Sequence, residues 1–336
     1  MQDNLNVEYC YNSDNVTCIK EVRPLYLAVT LYALAAIAVL LTFCGNLTVI
    51  ISISHFKQLH TPTNLLVLSL AAADFLVGVI IMPFMVIQSI ETCWYFGDVF
   101  CFIYTMFLIF LTTVSMINLV IIAIDRYIAV SDPLLYSTRV TVRVASLCVA
   151  GIWTASLCYG FAVMFSNGNM EGVIGVDPCP GDCLLAFNSA WGTVDLVCSF
   201  LLPVFIMATL YSKIIIIAKR HARAISTQQK SHTEGANKKI SKKSERKAAK
   251  TLGIVVAVFI LCWLPFYICT VLNQFINFSV PSVVSCAFLW LAYLNSCINP
   301  IIYALFYPWF QKSLKMLVTF KICSPGSSVI HLIPEH

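Results

Sequence analysis

The sequence predicts an all-α membrane protein, a seven-transmembrane helix bundle with a short amphipathic eighth helix. Three observations predict it. Of 336 residues, 59% are hydrophobic and only 11% are charged, against about 25% charged in soluble globular proteins. The apolar residues gather in seven runs, at about 24–53, 64–90, 99–130, 144–165, 187–218, 251–275 and 281–305. Each run can cross a bilayer with some tilt. Lipid-facing backbone must satisfy its own hydrogen bonds, and runs this long exclude a β-barrel, so the spans are helices. The chain divides into an N-terminal segment 1–23, a bundle 24–305, an interfacial helix 306–321 and a tail 322–336.

Basic residues set the orientation. Lys57, Arg139 and Arg143, then Lys219 to Lys250, then Lys312, Lys315 and Lys321 fall on one side of the spans. The other side holds acids, among them Glu91, Asp98, Glu171, Asp177 and Asp182. The positive-inside rule then places the N-terminus outside, in a multi-pass plasma-membrane protein. Residues 1–22 are polar, with no apolar run, so no cleavable signal peptide is expected and the first span directs insertion. The sequons at Asn15 and Asn277 fall on the outer side and read as glycosylation sites. Asn46-Leu47-Thr48 also matches, but it lies within a span and is discounted.

The third span, Cys101 to Tyr127, is uncharged until it reaches Asp125-Arg126-Tyr127 at its inner end. Between spans five and six, residues 222–247 are basic and rich in Ser, Gln and Lys. They read as a solvated loop or as a docking surface for an acidic cytoplasmic partner or anionic lipid. After the seventh span, Phe306 to Phe320 alternates aromatic, apolar and basic residues, which suits a helix lying along the inner leaflet. Cys323 beyond it is a palmitoylation candidate, with a plain thiol as the alternative. Fifteen cysteines divide into nine within spans or on the inner side and six on the outer side: Cys10, Cys18, Cys93, Cys101, Cys179 and Cys183. Six cysteines in an oxidising compartment suggest three bridges, but their pairing stays open at this level.

A charge within a span is costly, so each one is a functional candidate. Asp74 lies mid-way along span two, at the depth of Asn46, Ser115, Asn295, Ser296 and Asn299. These oxygens suit a hard cation such as an allosteric Na⁺, with Asp74 and Ser115 as ligands, or else a polar network that fixes packing. Arg126 can pair with Asp125 or, across the bundle, with Glu245, forming a contact that breaks when helices part. Asp195 lies eight residues before Pro203 in the outer half of span five, with no basic residue in any outer-half segment, and Ser199 follows one turn deeper. It reads as a counter-ion for a cationic ligand or as a structural, hydrogen-bonded acid. Trp263, Phe266, Tyr267, Trp290 and Tyr293 cluster at a similar level, as core or as a cage for an ammonium group. No metal cluster, nucleophile elbow or phosphate loop is evident, so an enzyme is not expected and no cofactor is implied. No internal repeat supports a transporter or channel.

Asp125-Arg126-Tyr127, Cys262-Trp263-Leu264-Pro265, Asn299-Pro300-Ile301-Ile302-Tyr303, Asn46, Asp74, Trp153, Pro203 and Tyr211, in order along the spans, resemble the rhodopsin-like G-protein-coupled receptors over about residues 24–321. Within that family the chain resembles the trace amine-associated receptors. The similarity rests on Asn295-Ser296-Cys297-Ile298-Asn299-Pro300, the run from Tyr303 to Phe310, the Cys10 to Cys18 spacing, Cys93-Trp94-Tyr95-Phe96-Gly97 and Cys179-Pro180-Gly181-Asp182-Cys183. The resemblance implies the bridges Cys101–Cys183, Cys10–Cys179 and Cys18–Cys93. It also implies a G-protein switch at Asp125, Arg126, Tyr127, Glu245, Tyr211 and Tyr303, and a polar network at Asp74, Ser115, Asn295 and Asn299.

Amine receptors usually carry an Asp seven residues after the helix-three cysteine, and here that position is Leu108. The resemblance is therefore to a fish-expanded subset that uses an acid on span five, at the position of Asp195. It implies a chemosensory, olfactory receptor in which a protonated small amine binds Asp195, Ser199, Leu108, Thr112, Trp263, Phe266, Tyr267 and Tyr293. The implied partners are a stimulatory or olfactory-type heterotrimeric G protein acting through adenylyl cyclase and cAMP, arrestin, a receptor kinase and membrane lipid, with no nucleic acid. Olfactory cilia are implied by resemblance only. The rival reading is a rhodopsin-like receptor for a peptide or lipid, with Asp195 structural.

Overall fold

A computed structural model describes residues 8–11, 17–166, 181–183, 187–228, 236–275, 280–330 and 332; the side chains of residues 189, 218, 221–252 and 274–275 are not among those described. Among the described residues, seven helices are long and apolar enough to cross a membrane: Leu25–His55, Pro62–Glu91, Gly97–Ser131, Val142–Ser166, Ala190–Ile217, Gly253–Asn273 and Ser282–Phe306. We refer to them as spans one to seven. The shortest has 21 residues. At about 1.5 Å per residue it still covers a hydrocarbon core of about 30 Å.

Span three packs against spans two, four, five and six and forms the central column. Its inward residues Leu111, Val114, Leu119 and Ala123 are fully buried. Spans one and seven approach closely at Gly45, where an added Cβ would stand 2.7 Å from Pro300 Cβ. The adjacent Asn46 donates from Nδ2 to Ser296 O at 3.1 Å and is itself fully buried.

Two spans depart from the α ladder. Val77–Ile81 in span two and Leu196–Leu201 in span five are π-helical. Both precede a proline, at Pro83 and Pro203. A proline has no N–H and crowds the carbonyl four residues back, so the ladder shifts to a wider turn upstream. The proline marks such a break in the sequence, but not its repair.

Span seven ends at Phe306, and an eighth helix follows over Pro308–Val318. Its Trp309, Phe310 and Ser313 are buried against span one, and Ser313 Oγ donates to Ser52 Oγ at 2.5 Å. The segment beyond it folds back onto the His55 end of span one. His55 Nε2 lies 2.9 Å from Ser327 Oγ, Leu332 N donates to Gln58 Oε1 at 2.8 Å, and the Leu332 side chain is buried. Cys323, in a 3-10 turn after the eighth helix, is exposed and unbridged.

At the end bearing the N-terminus, β1 (Glu8–Tyr9) and β2 (Ile19–Lys20) pair antiparallel. Cys101 is bonded to Cys183, as the resemblance implied. The other implied pairings are corrected. Cys10 is bonded to Cys93, with Cα atoms 5.6 Å apart, so neither Cys10–Cys179 nor Cys18–Cys93 forms. The hairpin explains the exchange. Its register, Glu8 opposite Lys20 and Tyr9 opposite Ile19, sets Cys10 beside Cys18, and Cys10 N donates to Cys18 O at 2.9 Å. Both cysteines are buried with Cys93. Cys10 is the one bonded to Cys93, and the residue after it, Tyr11, donates from its hydroxyl to Trp94 O at 2.7 Å, beside Cys93. Cys18 is disulfide-bonded as well. Cys179, Asn15 and Asn277 lie outside the described residues, as do the side chains of the whole basic 222–247 segment, Glu245 among them.

Mass-spectrometric mapping of a non-reducing digest is expected to return a Cys10–Cys93 peptide and a Cys101–Cys183 peptide. A dominant Cys18–Cys93 peptide would reverse the pairing.

Candidate functional site

Span five carries Asp195 just before its π turn. Asp195 and Ser199 lie on the wall of one cavity of about 60 Å³. One water needs roughly 10–15 Å³, so the space suits a small polar group with a short tail. The structure brings all eight sequence-read ligand residues to this cavity. Leu108 and Thr112 reach it from span three, Asp195 and Ser199 from span five, Trp263, Phe266 and Tyr267 from span six, and Tyr293 from span seven. Trp290, read among the same aromatics, turns away instead: its indole N–H donates to Ser89 Oγ on span two at 3.0 Å.

The wall is aromatic on one side. Trp263 meets Phe266 at 6.1 Å and Tyr293 at 6.3 Å, edge to face, and Tyr267 stacks on Phe200 at 4.5 Å. Phe187, Phe259 and Leu289 add apolar surface that the sequence reading did not select. Among the described residues, Asp195 is the one acid of this lining, and no Lys, Arg or His joins it. None of the ion pairs among the described residues involves it. Two phenols hold it instead. Tyr159 of span four donates to Oδ1 at 2.9 Å, and Tyr267 donates to Oδ2 at 3.3 Å. Tyr159 also escaped the sequence reading. Its only signal there is a hydroxyl-bearing ring in an otherwise apolar stretch, Leu157-Cys158-Tyr159-Gly160.

Below the cavity, Asp74 is fully buried and accepts three bonds. Ser115 Oγ donates to Oδ1 at 3.0 Å, Ser296 Oγ to Oδ1 at 2.8 Å and Asn299 Nδ2 to Oδ2 at 2.8 Å. Asn295 is buried close by in sequence, and the Oδ1 atoms of Asn295 and Asn299 are buried without a hydrogen-bond partner. The donor set is all oxygen, the chemistry of a hard cation, so these residues fit Na⁺. No group of three or more His, Cys, Asp or Glu that could hold a metal ion occurs among the described residues.

At the opposite end of the bundle from the hairpin, Arg126 pairs with its neighbour Asp125: Nη2 stands 2.6 Å from Oδ2 and Nε donates to the same oxygen at 2.9 Å. Arg126 also donates to Thr63 Oγ1, and its guanidinium lies 5.7 Å from the centre of the Tyr136 ring. Thr63 and Tyr136 donate to Asp125 at 2.8 and 3.0 Å. Tyr136 comes from the short helix Pro133–Arg139, whose N-terminus Asp132 caps by accepting from Leu135 N at 2.9 Å. Of the other residues read for this end, Tyr211 is buried with no partner for its hydroxyl, and Tyr303 meets Tyr307 edge to face at 5.8 Å. Tyr127 receives the Lys213 ammonium 5.9 Å above its ring.

The model of the 7 transmembrane receptor (rhodopsin family) matches residues 45–303. Trace amine-associated receptor 13c of Danio rerio is 46% identical over 328 residues, 97% of this chain and 96% of the relative. Trace amine-associated receptor 4 of Mus musculus is 43% identical over 336 residues, 98% and 96% of the two chains. Trace amine-associated receptor 7e of Mus musculus is 43% identical over 335 residues, 98% and 93%. Motifs, bundle and relatives agree over nearly the whole length, and the chain belongs to the rhodopsin family of seven-transmembrane receptors and, within it, to the trace amine-associated receptors.

Proposed function

We propose that this receptor detects protonated small amines, with Asp195 as the counter-ion. The observation that supports the reading is an acid in an aromatic cavity, held by two neutral phenols and, among the described residues, alone there and facing no cation. Neutral donors stabilise a carboxylate without cancelling its charge, so the charge remains for a ligand. Ser199 and Thr112 assist, Phe266, Tyr267 and Tyr293 surround the ammonium, and Leu108 leaves the span-three side apolar.

Ligand contact with spans three, five and six shifts Trp263 and favours the arrangement in which the inner ends part. Arg126 then leaves Asp125, or Glu245, and with Tyr127, Tyr211 and Tyr303 receives the G protein. We assign the coupling to a stimulatory or olfactory-type G protein and adenylyl cyclase, in an olfactory cell's plasma membrane with the N-terminus outside and Asn15 and Asn277 glycosylated. Arrestin and a receptor kinase act on the inner side, beside the basic segment and a lipidated Cys323. Na⁺ at Asp74 and Ser115, within the polar network that includes Asn295 and Asn299, favours the inactive arrangement.

Three outcomes are expected in a cyclase-coupled reporter. Asp195→Ala loses a charge-assisted hydrogen bond of about 2 kcal/mol, which shifts the amine response roughly 30-fold to higher concentration. An unshifted response, or a wild type answering peptides or fatty acids instead of amines, would refute the counter-ion role. Leu108→Asp adds a second acid to the cavity and is expected to bring a response to diamines; without that gain, the two positions do not share one ligand. Replacing Na⁺ by choline should raise the wild-type amine response several-fold and leave Asp74→Asn unmoved. Equal sodium sensitivity in both would remove Na⁺ from Asp74.

A further inference from the structure

The chain turns back twice after the eighth helix. Phe320 and Gly326 take left-handed backbone, with φ of 55° and 78°, one before each of two 3-10 turns, Lys321–Cys323 and Ser327–Val329. Glycine adopts this conformation freely and a phenylalanine rarely does, so contacts outside the first turn must favour its shape. Those contacts lie on span one and the residues just after it. Ser327 Oγ donates to Ile322 O at 2.5 Å, which ties the second turn to the first. A hydroxyl has one proton, so in the 2.9 Å contact between Ser327 Oγ and His55 Nε2 the histidine is the donor. Ser327 is thus bonded on both sides and is buried. Further on, Leu332 N donates to Gln58 Oε1 at 2.8 Å, and the leucine side chain is only 1% exposed.

Leu332 does not sit on the surface of a finished core. It shares one apolar cluster with Ile53 of span one, Phe56 just beyond it, Trp309 of the eighth helix and Tyr303 of span seven. Removing a fully buried leucine from such a cluster leaves a void, and the cost of that void falls if the neighbours move into it. The tail therefore bears on where the last turns of span seven rest. The contact is also small, one buried side chain and a few hydrogen bonds, so it can open without unfolding a span.

We propose that the tail is an autoinhibitory latch. Closed by Ser327 and Leu332 on the His55 end of span one, it favours the arrangement in which Tyr303 stays in this cluster. Open, it lets the end of span seven leave that place for the arrangement that engages the G protein. The inference rests on the reading of Tyr303 as part of the receptor's switch, and it adds a second input to that switch beside the ligand cavity. A contact that stabilises one arrangement lowers the population of the other. An open latch therefore raises signalling without ligand and sensitises the receptor to its ligand.

The test uses full-length receptor in cell membranes at equal receptor density, mixed with purified heterotrimeric G proteins of each class. Nucleotide exchange is measured without amine and across amine concentrations. Trypsin cleavage after Lys321 is followed in the same membranes, since the bond beside Ile322 is shielded while the latch is closed. Leu332→Asp puts a charge into the apolar cluster and opens the latch, whereas Leu332→Met nearly keeps the volume and leaves it closed. Leu332→Asp should be cleaved faster than wild type and should raise amine-free exchange at least about fivefold, the low end of coupling between two sites. Ser327→Ala and Gln58→Ala each remove one bond and should move both readouts the same way by less. Neither should add much to Leu332→Asp, because each opens the same latch. Leu332→Met should match wild type. Equal cleavage of wild type and Leu332→Asp shows that the tail is not docked and overturns the latch. Faster cleavage with amine-free exchange unchanged or lower on every G protein leaves a structural clasp only and overturns it too. A rise in amine-free exchange in a receptor that no amine activates keeps the latch and removes the amine reading. A rise confined to a G protein outside the stimulatory class keeps the latch and removes only the coupling assignment.

Discussion

A carboxylate inside a membrane bundle must find donors on its neighbours, because no water or lipid headgroup supplies them there. That constraint organises this receptor at three depths. Asp195 collects phenols from spans four and six. Asp74 collects hydroxyl and amide groups from spans three and seven. Asp125 collects Thr63 of span two, Tyr136 of the following short helix and its own neighbour Arg126. Each acid is thus a knot between helices that apolar packing alone would let slide, since lipid tails compete equally for apolar faces. The same knots are the places where a ligand, an ion or a partner protein can act by exchanging one donor for another.

The three knots differ in what they leave free. At Asp125 the cation is built into the chain, so the charge is answered and Arg126 is restrained until something displaces it. At Asp74 the donors are neutral and short-armed, and the surrounding oxygens fit a small hard ion. At Asp195 the donors are neutral and bulky, and the open side is walled by rings. One residue type therefore serves a structural pair, a candidate ion site and a candidate ligand site, and its neighbours decide which.

Much of this was legible in the sequence, for a physical reason in each case. An apolar run of more than twenty residues has few stable forms other than a spanning helix, so the bundle followed from the runs. Asp195 stood out because acids are rare in spans and no base was near it, and the rings of span six declared the wall around it. Tyr159 did not stand out, because it carries no charge and its partner is 36 residues away on another helix. Tyr136 was hidden in the same way, in a loop helix that gave no sign of which side chains it would return to span three. The cysteine pairing failed at a finer scale: a hairpin sets Cys10 and Cys18 side by side, and which of them meets Cys93 turns on local contacts that the sequence spacing does not show.

The π turn at Leu196–Leu201 also has a consequence for the helix it interrupts. A wide turn carries one residue more than an α turn, and one residue corresponds to about 100° of helical rotation. The part of span five before the turn is therefore set at a different angle from the part after it, which packs on span three. Deleting a single residue there would leave the length and apolarity of the span almost unchanged, yet swing Asp195 about a quarter-turn around the axis, away from Tyr159 and Tyr267. The direction in which this acid faces is thus written in a count of residues, not in the chemistry of any one of them.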